Sequence, residues 1–358
     1  MRKHLLAPGA YVQGDGVIAT GESFGTLQGT TAFVLGGETA LSMTESDLHL
    51  GLESAGVDVA AIEPGVDSCT FDRIESLVDD ATAAAADTII GVGGGVALDT
   101  SKAVADALDA ELVTVPTIAS TDAPCSSVSV VYDEEGNFDG YVHRDRDPDL
   151  VLADTGVIVR APTRFLRYGM GDAFATRFEA EAVARSNEVT HAGAHSTGAA
   201  LTLARSTFDN LLSYGESALA ANERTAVTPA FERIVETNTL LSGLGFESGG
   251  LAAAHAFGKG FSKTDADAQH GLLIAFSTIA QLVLEDRDPD ILESALDVYH
   301  TLGLDRRLTD LGINDGAVET VAKNACSKDT TMSNEPVTVS PERAAAALRT
   351  ADELIAQY

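Results

Sequence analysis

Three residues far apart in the chain are of the types that hold a divalent metal. Asp172 stands in "YGMGDAFATRFEAEA", His255 in "GGLAAAHAFGKGF" and His270 in "DADAQHGLLIAF". One carboxylate and two imidazoles leave coordination positions open for water or a substrate oxygen, an arrangement that suits zinc or iron(II). Each alone has a plainer reading. Asp172, read at the head of a helix, complements the helix dipole. A lone His in an apolar helix fills a core or surface position. Together the three form a candidate metal centre. His191 and His195, four apart at helical spacing, are a rival pair. They lack the Glu that metalloproteases carry beside the first His, and so read as surface.

A second chemistry is written in "GVGGGVALDTSK", residues 91–102, with four glycines in five positions. A strand, a glycine turn and a helix start together offer free backbone N–H groups and a positive dipole end, where phosphates bind. Gly93, Gly94 and Gly95 would let the backbone approach a pyrophosphate, although the strict dinucleotide fingerprint fails at Val96. The competing reading is a tight turn without a ligand. Asp99 and Lys102 are neighbours on one helix face, which a local ion pair would also explain. In "VPTIASTDAPCSS" (115–127), Thr117, Ser120 and Ser126 could donate to phosphate or ribose oxygens, and Asp122 suits substrate hydroxyls. A plain turn-rich loop is the alternative there.

These residues need elements to position them. Strands are expected at 31–37, 57–64, 87–95 and 111–117, alternating with helices at 38–55, 71–86 and 96–109. That order predicts a parallel sheet with right-handed crossovers. Residues 127–142 read as a hairpin around "EEGN", and "PDLVLADTGVIVRAP" closes the region. After Pro162 the pattern becomes helical. We expect an α/β domain over 1–161 and an all-helical domain over 162–358, with the cleft between them as the default place for a site.

Composition limits the partners. The chain has 358 residues and a net charge of −31, and its 23 basic residues comprise 17 Arg and only 6 Lys. Such a surface repels nucleic acid and anionic membranes, and it resembles those of salt-adapted proteins. Cys69, Cys125 and Cys326 suggest neither a disulfide frame nor a Cys-type zinc site. The N-terminal apolar run is too short for a signal peptide, and no segment reaches bilayer-spanning length, so a soluble cytoplasmic protein is expected.

At this point the motifs resemble a known family. "YVQGDG" (11–16), "GVGGGVALDTSKA" (91–103), "VPTIASTDAPCSSVSVVY" (115–132), "APTRFLRYGMGDAFATRFEA" (161–180), "NTLLSGLGFESGGLAAAHAFGKG" (238–260) and "HGLLIAF" (270–276) are similar to the glycerol dehydrogenases of the metal-dependent, iron-type alcohol dehydrogenase superfamily. The resemblance implies a Rossmann-like sheet domain followed by an all-helical domain, the fold shared with dehydroquinate synthase. It implies NAD, one divalent metal (commonly zinc), oxidation of glycerol to dihydroxyacetone, and a homo-oligomer between dimer and octamer. By motif, Asp172, His255 and His270 would hold the metal and the substrate's hydroxyl oxygens, and Asp122 would bind the polyol. Gly95, Thr117, Ser120, Ser126, Val128 and Tyr132 would line the dinucleotide, with Asp99 beside them.

Four positions depart from the family pattern. Val96 stands where a Lys is usual, and Gly37, followed by Glu38, stands where an acid bonds the ribose and selects NAD over NADP. Gly258 and Leu272 replace a His and a Glu often found there, and the stretch between His255 and His270 is short. A glycerol-phosphate dehydrogenase would need a cationic pocket, for which only Lys259 and Lys263 are at hand. A nucleotide-binding protein without activity is the remote third reading.

Overall fold

The computed structural model describes residues 2–264, 266 and 268–358. In chain order the elements begin with β1 (Tyr11–Gly14), β2 (Thr31–Gly36), α1 (Glu38–Ala55), β3 (Asp58–Glu63), α2 (Phe71–Ala83), β4 (Thr88–Gly93), α3 (Gly95–Leu108) and β5 (Glu111–Pro116). They continue with β6 (Val128–Tyr132), β7 (Phe138–His143), β8 (Leu150–Asp154) and a short α4 (Thr155–Ile158). The helices that follow are α5 (Thr163–Ser186), α6 (Gly198–Glu223), α7 (Pro229–Glu236), α8 (Ser242–Gly249), α9 (Ala253–Phe261), α10 (His270–Leu284), α11 (Pro289–Thr301), α12 (Val318–Ala325) and α13 (Pro341–Gln357). A π-helical turn, Thr237–Leu241, joins α7 to α8. No helix among the described residues is long and apolar enough to cross a membrane.

Six strands pair in the order β1-β8-β5-β4-β2-β3, all parallel, and β6 with β7 forms the expected antiparallel hairpin. All six residues of β4 are buried, as expected for a parallel strand covered on both faces. Strand alternation sorts the core. Ala32 and Val34 point into a cluster with Ile18, Phe24 and Leu48 of α1, while Phe33 and Leu35 point into one with Ile74 and Leu77 of α2 and Val104 of α3. The strand order reverses between β2 and β4. From β2 the chain moves outward to β3, and from β4 it moves the other way to β5. Open α/β sheets bind ligands at the carboxyl ends of the strands at such a switch point.

Packing divides the chain into two units. The sheet unit comprises Ala7–Phe165 and Ala221–Gly243. The helical unit comprises the N-terminal residues through Leu6 with Leu166–Ala220 and Leu244–Tyr358. The packing break at 165/166 falls four residues after the expected domain end, but α7 and the π-helical turn return to the sheet unit. Tyr11 of β1 explains part of that return: its hydroxyl bonds Thr239 Oγ1 at 3.0 Å, and Gln13 Nε2 donates to Glu232 O.

Candidate metal centre and glycine turn

The three metal candidates converge in the helical unit. One ligand atom from each of Asp172, His255 and His270 lies within 4.8 Å of the other two, and among the described residues this is the one such group. Asp172 Oδ1 is 3.6 Å from His255 Nε2 and 3.5 Å from His270 Nε2. Tetrahedral ligands about 2.1 Å from a zinc ion stand about 3.4 Å apart, so the spacing matches. Asp172 Oδ1 is itself buried and has no hydrogen-bond partner, an orphan that a cation would satisfy. The residues present therefore fit a divalent metal.

Two expectations need correction. Asp172 does not sit at a helix head. It lies in the third turn of α5, which starts at Thr163 because Gly169 and Gly171 continue the helix instead of breaking it. Its charge serves the imidazoles and not a helix dipole. His191 and His195 are not on a helix either; they lie in the connection between α5 and α6, where Gly193 takes φ +70°. The His191 ring packs on Phe246, and His195 Nδ1 faces Glu188 O.

Close helix approach brings the triad together. A Cβ on Gly171 would overlap the Gly271 carbonyl, and one on Gly271 would overlap the Tyr168 carbonyl. Only glycine permits the crossing of α5 and α10 that sets Asp172 beside His270.

Glu179, which the sequence reading missed, completes the centre. It lies seven residues after Asp172, two turns along the same face of α5. It is fully buried. His255 Nδ1 approaches Glu179 Oε2 at 2.6 Å, and the amides of Ala252 and His255 both donate to Oε1. A carboxylate holding one ring nitrogen fixes the tautomer and leaves the other nitrogen for a metal. Electrostatics follow the same grouping. Burial would push the Asp172 carboxyl up, but the neighbouring imidazoles of His255 and His270 hold it far below the usual range. Burial would depress His255, but the Glu179 charge and Asp172 raise it well above its ordinary value.

A second buried carboxyl lies near the centre. Burial pushes Glu335 up to about 7, against the backbone N–H of Ala253 that it accepts and assisted by the charge of Glu179; Arg185 and Arg287 pull it back. A carboxyl whose folded pKa is raised favours the native state below its unfolded value. That contribution is lost as pH rises from about 4.3 through about 7. We expect Glu335→Gln to remove up to about 3 kcal/mol of destabilisation at pH 8 and to change little at pH 4. Urea denaturation at both pH values measures it, and parallel wild-type and variant curves would refute it.

In the sheet unit, the glycine run lies at the switch point. Gly93 ends β4 with φ +148°, a conformation that favours glycine, and its position is 3.9 Å from Gly37 N at the end of β2, measured from an ideal Cβ. Gly94 is the N-cap of α3 and offers no side-chain cap. Gly95 opens the helix, and Val96 is exposed. Thr117 N donates to Gly93 O at 3.0 Å, joining the second loop to the first. These are the features of a phosphate cradle: a glycine turn, an uncapped helix start and hydroxyl side chains nearby.

Lys102 organises that second loop. Its side chain is 0% exposed. The ammonium donates to Ala123 O at 3.0 Å, to Ser126 Oγ at 3.3 Å and to Val128 O, and it pairs with Asp99 Oδ1 at 2.7 Å. Asp99 Oδ2 accepts from Val130 N. Both oxygens of Asp99 are thus engaged inside the protein. Burial pushes its carboxyl up, and Lys102 pulls back only in part. Replacing Lys102 by Met leaves that buried charge without its partner and is expected to cost about 3–5 kcal/mol of unfolding free energy. A denaturant midpoint close to the wild type would contradict this.

The other expected residues are placed as follows. Asp122 Oδ2 accepts from Ser242 Oγ at 3.0 Å, and Asn238 Nδ2 donates to Ala119 O, so the π-helical turn and the first residue of α8 brace the loop of Ser120 and Asp122. Tyr132 stands at the end of β6 beside Thr70, Phe71 and the acids Asp72, Asp133 and Glu135, around a cavity of about 340 Å³. Leu272 lines a cavity of about 250 Å³ with Tyr168, Gln269 and Arg306.

With this geometry in view, residues 8–155 match the family model described as iron-containing alcohol dehydrogenase. The chain belongs to the iron-containing alcohol dehydrogenase family, a class of oxidoreductases acting on CH–OH groups. It is 42% identical to the glycolaldehyde reductase of Halobacterium salinarum, over 99% of this chain and 98% of that one. It is 41% identical to a glycerol dehydrogenase of Escherichia coli, over 99% of this chain and 97% of that one. Among solved structures, a probable glycerol dehydrogenase from Sinorhizobium meliloti superposes with a TM-score of 0.92 at 33% identity, covering 100% of both chains.

Proposed function

We propose that the protein is a metal-dependent dehydrogenase of vicinal diols that oxidises glycerol to dihydroxyacetone with NAD. The observation that carries this reading is the orphaned, buried Asp172 Oδ1 flanked by two imidazoles at 3.5–3.6 Å. Asp172, His255 and His270 would hold the cation, zinc by resemblance, which supplies Lewis acidity toward a hydroxyl oxygen. Neighbouring hydroxyls suit a site with open positions, which favours polyols over simple alcohols. A bound dinucleotide would supply the hydride acceptor. Gly93, Gly94, Gly95 and Val96, with Thr117, Ser120, Ser126, Val128 and Tyr132, would line it, and Asp122 would bind the polyol.

The chain's own residues prepare this chemistry. Glu179 holds His255 in one tautomer, and the uncapped start of α3 supplies N–H donors for phosphate oxygens. Lys102 fixes the carbonyls of the 123–128 loop, and Ser242 orients the Asp122 carboxylate. Gly37 removes the acid that would repel a 2′-phosphate, which leaves NADP as a second candidate acceptor. A phosphorylated substrate is disfavoured, because Lys259 is held by the carbonyl and carboxylate of Asp329. The charge of −31 supports a salt-adapted, cytoplasmic enzyme, and the resemblance supports a homo-oligomer.

The relative from Halobacterium supports a second substrate of the same class, glycolaldehyde in the reducing direction. Absorbance of reduced nicotinamide decides between them. At high salt we expect NAD reduction with glycerol and 1,2-propanediol, abolished by chelation and restored by zinc. NADH oxidation with glycolaldehyde far faster than with dihydroxyacetone would favour the second substrate. No reaction with any diol or α-hydroxy carbonyl would end the proposal.

A further inference from the structure

Helix α9, which carries His255, begins without a cap of its own. Its N-cap residue is Ala252, and no side-chain hydrogen bond closes it locally. The first N–H groups of a helix have no partners within it. Here four successive amides are taken by side chains from three other parts of the helical unit. Glu179 of α5 accepts from Ala252 N and His255 N, Glu335 accepts from Ala253 N at 2.9 Å, and Gln281 of α10 accepts from Ala254 N at 3.0 Å.

Glu335 arrives on a segment that grips the same turn twice more. Thr331 Oγ1 donates to Ala252 O, and Asn334 Nδ2 donates to Leu251 O at 2.8 Å. Glu335 is 6% exposed, and its other oxygen, Oε2, is buried without a hydrogen-bond partner. Burying a carboxyl is costly, yet its one hydrogen bond goes to the turn that carries a metal ligand. Two carboxyls at one helix start also complement its dipole.

We infer that Glu335 is a positioning residue for the metal centre: bound to Ala253 N, with Gln281 beside it on Ala254 N, it fixes the first turn of α9 and so the direction in which His255 presents Nε2. This rests on the reading that Asp172, His255 and His270 hold a cation. Glu335 is not one of the three residues whose ligand atoms converge. It acts two residues away through the backbone.

The test is zinc affinity of the full-length, metal-stripped protein, measured by competition with a chromophoric chelator, with Tm recorded with and without zinc. Glu335→Ala is expected to weaken zinc binding about tenfold, within the range of outer-shell losses, and to shrink the rise in Tm that zinc produces. Glu335→Gln keeps an acceptor for Ala253 N and is expected to bind zinc within about twofold of the wild type. Should Glu335→Ala fail to fold, Asn334→Ala loosens the same turn and is expected to weaken zinc in the same direction. An equal loss of Tm with and without zinc, at unchanged affinity, would show a structural role only and overturn the inference. Failure of the wild type to take up zinc would instead remove the reading beneath it, as would full uptake by His255→Ala.

Discussion

His255→Ala is expected to lower kcat/KM for the diol by at least about 10³-fold, on the order of 4 kcal/mol of transition-state stabilisation. The variant should also lose its metal on dialysis while still binding NADH. The split follows from where the parts lie. His255 stands between Asp172 and Glu179 in the helical unit, whereas the glycine turn and its hydroxyl loop belong to the sheet unit. Glu179 keeps its two backbone donors, so the helix start survives the loss of the ring. Metal content and NADH fluorescence measure the two halves of the claim. Retention of both metal and turnover would show that the imidazole is not a ligand.

The second large effect concerns a residue with no side chain at all. Gly271→Ala is expected to destabilise the protein by about 3 kcal/mol or more, and to abolish metal uptake in whatever remains folded. The added methyl would meet the Tyr168 backbone, which cannot rotate away as a side chain could. The helices α5 and α10 must then separate, and Asp172 leaves His270. Gly198→Ala is the control. Nothing lies within 4 Å of a Cβ there, so it should change stability by less than about 1 kcal/mol. Denaturant curves of both variants compare a blocked position with an open one. Equal stability of the two would remove the close-approach argument.

Much of this was legible in the letters. The β-then-α alternation placed β2 to β5 and their helices within a few residues, because buried parallel strands read as short apolar runs between turn residues. The three metal candidates were legible because their residue types are rare in apolar surroundings. Strand β1 was not read as a strand: "YVQG" is short, half-buried, and paired only with β8, whose residues come 140 positions later. Glu179 escaped because a carboxylate in "RFEAEA" looks like any exposed helical acid, although its spacing from Asp172 was a usable signal. Glu335 gave no local signal at all. Its role exists only through a hydrogen bond to Ala253, 82 residues away. Lys102 was read as half of a local ion pair. The pair is present, but three further contacts depend on the fold of a loop that sequence spacing cannot place.

The return of residues 221–243 to the sheet unit has a consequence for how the chain matures. During vectorial synthesis the sheet can be threaded early, but α7 and the π-helical turn, which meet β1 and the loop after β5, leave the ribosome only after the whole of α5 and α6. A fragment ending at Phe165 would therefore expose the face that Thr239, Asn238 and Ser242 cover. Until that later stretch emerges, the nascent sheet lacks the hydrogen bonds by which its own chain closes it.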